Sequence, residues 1–186
     1  MFDEQYIKTE KSTMKKDELI SKYSKSIENQ ERLRKCSVLM LPIENFRKQE
    51  SLTFYEGFRN LYFYLQDKLG KEQVDLCIDK ENIKELSLHS DEFRLGIFLL
   101  ESILVPTFVG LLVDYLKTKI FAKKNDTVSV DIILSNEKKS SNDNIKISYK
   151  GSPDNMEKEL LNQISTYDKN GIIKKTMEQH KIDVLS

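Results

Sequence analysis

The residues best suited to proton transfer in this sequence are its two histidines, His89 and His180. Histidine ionises close to neutral pH and is therefore the usual general acid or base. His89 stands within residues 88–92, where a serine hydroxyl and two carboxylates could suggest a catalytic cluster. Adjacent residues at a helix start point in different directions, so we interpret this stretch as a helix N-terminus capped by Ser90. His180 lies in a lysine-rich segment and is interpreted as a surface residue.

A second pattern with catalytic potential is Glu137-Lys138-Lys139, which Asp131 precedes on a predicted strand. The Glu-x-Lys spacing is that of restriction-like nucleases, in which carboxylates hold magnesium and the lysine helps to position the attacking water. That chemistry requires a buried strand, whereas these residues lie among serines and asparagines in a predicted hairpin loop. A metal-dependent nuclease using Asp131, Glu137 and Lys139 is therefore the weakest of three functional hypotheses.

The sequence motifs of the common enzyme and cofactor classes are absent. There is no GxxxxGK or GxGxxG phosphate loop, no GxSxG nucleophile elbow, no HExxH pair and no EF-hand loop. Cys36 and Cys77 stand far apart, without the neighbouring cysteine or histidine that a metal-ligand spacing requires. We predict no catalytic residue, no metal site and no cofactor, and the balance favours a protein that is not an enzyme.

The charge pattern disfavours nucleic acid as a partner. The 186 residues contain 30 basic and 30 acidic side chains, so the chain as a whole lacks an attractive positive field. Only five of the basic residues are arginines, whose guanidinium groups form paired hydrogen bonds with phosphate and guanine better than lysine does. The N-terminal residues carry charges without an apolar run, which does not fit a signal peptide, and the cytoplasm is the expected compartment.

The N-terminal half is predicted to be mostly helical. Residues 1–14 are polar and unpatterned, which predicts a flexible arm before a single α+β domain over residues 15–186. A thin apolar stripe over residues 15–35 predicts a mostly solvated helix with one docking edge. An aromatic-rich helix is predicted from Thr53 to Leu69, followed by a short strand near residues 74–78 and then a further helix.

The longest apolar segment, residues 95–113, contains a single charge, Glu101. We predict that it forms the central buried helix, kinked or divided at Pro106 because proline removes a helical hydrogen bond. Its length also falls within the range of a membrane-spanning helix, although Glu101 would be costly in lipid. The alternative functional hypothesis is therefore a membrane-directed effector that inserts this segment.

The C-terminal part alternates as strands do. Residues 127–134 and 145–149 predict an antiparallel hairpin over residues 127–150, and Ser152 with Pro153 predicts the start of the next helix. Together the hairpin and this helix define a C-terminal subregion, 127–167. The predicted fold class is α+β: a mostly helical domain around the kinked apolar helix, with a small antiparallel sheet that the strand near 74–78 could join.

The preferred functional hypothesis is a non-catalytic protein-protein interaction module, an accessory or regulatory subunit of a bacterial-type complex. Two observations motivate it: no catalytic constellation is assembled, and the N-terminal helix is short of apolar partners within its own segment. The expected partner is another protein or a second copy of the chain. The candidate contact residues lie on the N-terminal and aromatic helices: Leu19, Tyr23, Ile27, Tyr55 and Tyr62.

Overall fold

A mixed six-stranded sheet forms the centre of the fold in the computed structural model, which describes residues 5–44, 52–87, 92–135 and 144–167. The described strands are β1 (Tyr6–Ser12), β2 (Val38–Leu41), β3 (Phe54–Tyr55), β4 (Val74–Leu76), β5 (Glu85–Leu86), β6 (Glu92–Glu101), β7 (Thr127–Ser135) and β8 (Asn144–Gly151). The described α-helices are α1 (Lys16–Tyr23), α2 (Ile27–Lys35), α3 (Phe58–Leu69), α4 (Val105–Tyr115) and α5 (Pro153–Tyr167).

The order of strands in the large sheet is β1-β8-β7-β6-β2-β4. The pairs β6–β7 and β2–β4 are parallel, and the other three pairs are antiparallel. Strands β3 and β5 form a separate parallel pair. The prediction of a small antiparallel sheet is therefore wrong, because segments from both halves of the chain join the hairpin in one large sheet.

The apolar segment 95–113 does not form the predicted central kinked helix. Its first part is the central strand β6, which continues through a 3₁₀ turn, Ser102–Leu104, into α4. A strand buried on both faces is a continuous apolar run, so its sequence lacks the alternation that identifies a strand. Pro106 lies in the first turn of α4, where a missing N–H costs no helical hydrogen bond. No described helix has the length and apolar content that crossing a bilayer requires.

Several smaller predictions also change. The expected flexible arm, 1–14, contains the edge strand β1, whose polar residues suit a position with one solvent-exposed side. The expected helix over 15–35 divides into α1 and α2. The aromatic helix α3 begins at Phe58, after the strand β3, with Gly57 at φ of 81° as its N-cap, and it ends at Leu69 before Gly70, as predicted. The strand near 74–78 is confirmed as β4, but it pairs with β2 and not with the hairpin.

Three helices, α3, α4 and α5, cover one face of the sheet and enclose the larger core. Phe98 of β6 and Phe108 of α4 pack edge to face with their ring centroids 4.9 Å apart. Helix α5 begins at the predicted residue, with the Asp154 amide donating to the Ser152 hydroxyl at 3.3 Å. The apolar side chains that α5 places on the sheet are Met156, Leu160 and Ile164.

Within the described residues, the opposite face of the sheet is covered only in part. Helices α1 and α2 enclose a second core over β2, the end of β6 and the end of β7, which we call the covered half. None of the apolar residues buried there belongs to β1 or β8, within the part of the chain that is described. The rest of this face, on β1, β8 and the beginnings of β6 and β7, is the open half. Its side chains are mostly polar or charged: Tyr6, Lys8, Glu10, Glu92, Arg94, Ser129, Asp131, Lys146, Ser148 and Lys150.

A candidate binding pocket on the open half

One row of side chains crosses four strands of the open half. The strand registers place Tyr6 opposite Lys150, Lys150 opposite Ser129, and Ser129 opposite Arg94. Neighbouring strands in a sheet lie about 5 Å apart, so side chains in such a row contact one another. The row therefore brings together one residue from each of β1, β8, β7 and β6.

A β-bulge in β6 determines where Arg94 lies. The β6–β7 register shifts between Arg94 and Gly96, and Gly96 has φ of 122°, a conformation that residues with a Cβ rarely adopt. The extra residue, Leu95, is buried in the helical core, while Arg94 and Ile97 both lie on the opposite face. Bulges redirect side chains and are frequent beside functional sites. Here the bulge separates the charged start of β6 from its apolar continuation.

Two cations share one carboxylate beside this bulge. Oε2 of Glu92 lies 3.2 Å from Nζ of Lys150 and 3.4 Å from Nη2 of Arg94. The Glu92 and Lys150 side chains are only 10% and 16% exposed, so solvent screens their interaction less than it would on an open surface. Among the described residues, the cluster therefore contains two cations and one anion.

Arg94 still has hydrogen-bonding capacity. Its guanidinium carbon lies 5.6 Å from the ring centroid of Tyr55, which fixes the group over an aromatic face. Its Nε atom is buried and has no hydrogen-bond partner among the described residues. A guanidinium offers five N–H donors in a planar fork that matches the two oxygens of a carboxylate. The arrangement is suited to binding an oxyanion.

The cavity around this cluster has a volume of about 240 Å³ and opens on the sheet surface. On one side Asp131 and Lys146 form an ion pair, with Oδ2 and Nζ 3.2 Å apart. The lining residues come from five strands: Tyr6, Tyr55, Glu92, Arg94, Gly96, Ile97, Ser129, Val130, Asp131, Tyr149 and Lys150.

Two of the five predicted contact residues serve the chain's own core. Leu19 and Tyr23 are buried against the sheet in the covered half. The Tyr23 hydroxyl donates to the Glu44 carboxylate, and burial together with this bond raises the pKa of the tyrosine. Ile27, at the start of α2, is 75% exposed. The apolar stripe of residues 15–35, which we expected to need a partner, is therefore largely buried against the chain's own sheet.

The other two predicted contact residues lie apart from these. Tyr55 lines the pocket, where it contacts Arg94. Tyr62 of α3 is half-buried and donates a hydrogen bond to Asp75 at 3.3 Å. The five residues do not form one surface, and only Tyr55 belongs to the candidate site.

Of the residues considered for catalysis, the structure describes only Asp131. His89, His180, Glu137 and Lys139 lie outside the described residues, and Asp131 pairs with Lys146. No group of three or more histidine, cysteine or carboxylate side chains with the geometry of a metal site occurs within residues 5–44, 52–87, 92–135 and 144–167.

Both cysteines are buried free thiols. Burial raises the pKa of the Cys77 thiol to about 12, and it also raises that of Cys36. A thiol of raised pKa has little thiolate at neutral pH and is a poor nucleophile or metal ligand. The two residues thus act as small core side chains.

The chain matches no protein family model, and neither the characterised proteins nor the solved structures with which it was compared give a match. The site is therefore argued from its own residues. Sequence reasoning missed Glu92, Arg94 and Lys150 because it assigned Glu92 to the first turn of a helix. A usable signal was present: the polar residues Glu92 and Arg94 alternate with Phe93 and Leu95, as Lys146, Ser148 and Lys150 alternate with apolar residues on β8.

Proposed function

We propose that the chain is a non-catalytic protein-binding module, an accessory or regulatory subunit that receives an acidic side chain of its partner in the pocket beside Arg94. The observation that carries this proposal is the buried Nε of Arg94, which lacks an acceptor among the described residues. A buried donor without a partner costs about 1–3 kcal/mol, which a carboxylate oxygen at this position would recover.

The chemistry of the pocket favours a carboxylate. Arg94 and Lys150 both lie beside the carboxylate of Glu92, and the other lining carboxylate of the described residues, Asp131, is paired with Lys146. Hydrogen bonds from a guanidinium to a carboxylate are roughly twice as strong as neutral ones and are commonly bidentate. Arginine and tyrosine, the residue types of Arg94 and of Tyr55 that it contacts, are also among the types that contribute most to binding at protein interfaces.

The size of the pocket favours a side chain of a protein over a free metabolite. Small-molecule sites usually enclose about 300–1,000 Å³ and surround most of the ligand. This cavity is smaller, at about 240 Å³, and opens on the sheet surface. The surrounding ion pair between Asp131 and Lys146 supplies a polar rim of the kind that surrounds the buried centre of an interface.

The proposal is tested with an array of immobilised peptides that contain aspartate or glutamate, each beside its asparagine or glutamine counterpart. We expect the full chain to bind a subset of the acidic peptides and to bind their amide counterparts at least about tenfold more weakly, because the charge-assisted bonds are lost. Phosphoserine versions of the same peptides test whether the pocket binds a phosphate group in place of a carboxylate.

Arg94→Gln and Arg59→Gln form a matched pair of variants for this experiment. Arg59 also lies over an aromatic ring, that of Phe58, and near a carboxylate, that of Glu85, but it is outside the pocket. We expect Arg94→Gln to abolish peptide binding and Arg59→Gln to retain it. Equal binding by the two variants, or equal binding of acidic and amide peptides, contradicts the proposal.

A further inference from the structure

We infer that two copies of this chain associate through strand β1, which pairs antiparallel with β1 of the second copy about a two-fold axis at Thr9. Strand β1 is the last strand of the large sheet, and on its outer side it pairs with no strand of the described residues. An edge strand of seven residues presents a row of backbone donors and acceptors that another strand can satisfy. This inference does not depend on the proposed pocket function.

The sequence of β1 is complementary to itself in this register. With Thr9 on the axis, each residue faces the one equally distant on the other side of Thr9, so Lys8 lies opposite Glu10 of the second copy. Glu10 likewise lies opposite Lys8 of the second copy, which gives two opposite-charge pairs across the interface. Within one chain Nζ of Lys8 lies 2.8 Å from Oε2 of Glu10, and both side chains remain accessible to a second copy, being 66% and 44% exposed.

The same charges disfavour the two registers that are centred on the charged residues themselves. Centring the axis on Lys8 places two lysines directly opposite each other, and centring it on Glu10 places two glutamates opposite each other. Like charges in directly opposed positions destabilise a strand pair. Lysine on an edge strand ordinarily discourages pairing with foreign strands. Lys8 therefore favours a partner strand that places an acidic residue opposite it, in addition to the ion pair that it forms with Glu10 of its own strand.

The helical side of the interface is also consistent with pairing. Ile7 would lie opposite Lys11 and Thr9 opposite Thr9 of the second copy, on the face where α5 packs. The Thr9 hydroxyl already donates to Oε1 of Gln163 on α5, at 3.2 Å, which holds the strand in place from that side. Pairing would extend the two six-stranded sheets into one continuous sheet without moving either α5.

Charge reversal and its rescue test the inference. Sedimentation equilibrium of the full chain over a wide range of protein concentration should show a monomer–dimer equilibrium. Lys8→Glu and Glu10→Lys should each weaken dimerisation at least about tenfold, because each replaces two attractive pairs by two repulsive ones. The double variant Lys8→Glu with Glu10→Lys should restore the dimer. Lys117→Glu, an equal charge change at an exposed position in the helical turn Leu116–Ile120 that follows α4, should leave dimerisation unchanged.

A cross-linking measurement separates the proposed geometry from association elsewhere. Thr9→Cys places a thiol on the axis, where copper-phenanthroline oxidation should join two copies, whereas Lys117→Cys should not cross-link. Circular dichroism melting checks that each variant is folded. The inference is overturned by a chain that stays monomeric at every concentration, by single reversals that leave dimerisation intact, by failure of the double variant to restore it, or by an absence of cross-linking at Thr9.

Discussion

The covered half and the open half belong to the same face of one sheet, yet they use their side chains differently. In the covered half, Leu39, Leu99 and Ile133 lie under α1 and α2 and are almost fully buried. In the open half, the neighbouring strands carry charged residues that pair with one another at the surface, such as Asp131 with Lys146. Apolar side chains occur where helices cover the sheet, and charges occur where the described helices do not.

Strands β6 and β7 pass through both halves and change character on the way. On the face that α1 and α2 cover in part, the side chains of β6 change along the strand from Glu92 and Arg94 to Ile97 and Leu99. On the same face, those of β7 change from Asp131 to Ile133. The change on β6 coincides with the bulge before Gly96. One strand can therefore contribute to a folding core at one end and to a binding surface at the other.

The charges near the covered half are arranged differently from those of the open half. Asp79 is buried and accepts hydrogen bonds from the Ser24 hydroxyl at 2.6 Å, the Lys25 amide at 2.7 Å and the Asn29 side chain at 3.0 Å. These bonds hold the short link between α1 and α2 against Asp79, which follows β4 in the chain. Such a carboxylate serves the fold, whereas beside Glu92 the buried Nε of Arg94 has no acceptor in the part of the chain that the structure describes.

The strongest test of the comparison is a cavity in the covered half. Leu99→Ala removes a side chain that is 2% exposed between the sheet and α1, and we expect it to lower the free energy of unfolding by about 2–5 kcal/mol. Urea denaturation measures the change. Ile27→Ala is the control, because its side chain is 75% exposed and its loss should change stability by less than about 0.5 kcal/mol. Equal effects of the two substitutions would mean that α1 and α2 do not cover the sheet.

A second test concerns the buried carboxylate, Asp79. Burial by itself raises its pKa, but the hydrogen bonds from Lys25, Ser24 and Asn29 outweigh burial and lower the pKa below the ordinary value. The ionised form is therefore favoured in the folded state, and its contribution is present above the unfolded pKa and lost as the pH falls through the folded one. At neutral pH we expect Asp79→Asn to cost about 1.5–3 kcal/mol.

The pH dependence of that cost distinguishes the charge from the shape of the side chain. Urea denaturation should give a constant difference between the native chain and Asp79→Asn from about pH 5 to pH 8, which shrinks below about pH 4. Asp17→Asn is the control, because this carboxylate is largely exposed and pairs with Arg34 on the surface. A difference for Asp79→Asn that persists unchanged to low pH would show that ionisation of Asp79 contributes nothing.

Much of the local structure could be predicted from the sequence. Polar and apolar residues alternate along the hairpin strands β7 and β8 because one side of each strand faces the helical core. Helix α5 begins at Pro153 after Ser152, and both residue types favour a helix start. Strand β6 was missed because its apolar residues face cores on both sides and show no period of two. Strand β1 was missed for the opposite reason, since an edge strand with few buried side chains resembles a flexible segment.

The candidate site could be predicted less well than the elements. Glu92, Arg94 and Lys150 are brought together by the pairing of β6 with β7 and of β7 with β8, which depends on where distant segments meet. Tyr55 was selected from the sequence as part of a helical contact surface, and its position against Arg94 follows from the short strand β3. Local patterns describe single elements, whereas a site of this kind is a property of the strand order.

The boundary between the two halves can be tested at Gly96. A Cβ there would meet no close contact, its nearest neighbour being a ring carbon of Phe98 at 3.7 Å, so strain at φ of 122° is the main penalty. We expect Gly96→Ala to cost about 1–3 kcal/mol, measured by urea denaturation, and to weaken peptide binding because Arg94 moves. Gly110→Ala, in helix α4 with open space around it and no positive φ, should be neutral or stabilising. If Gly96→Ala left both stability and peptide binding unchanged, the bulge would not be what determines the position of Arg94 in the pocket.

The smallest expected effect lies in the open half, at the ion pair between Asp131 and Lys146. Both side chains are about 30% exposed, so water and salt screen their attraction, and a double-mutant cycle of Asp131→Asn and Lys146→Gln should give a coupling energy of about 0.2–1 kcal/mol. Raising the salt concentration should reduce it further. Residues that contribute so little to folding are free to be used for recognition, so the same substitutions should affect peptide binding more than they affect stability. A coupling energy as large as the cost of Leu99→Ala would instead make this pair part of the folding core, and the distinction between the two halves would fail.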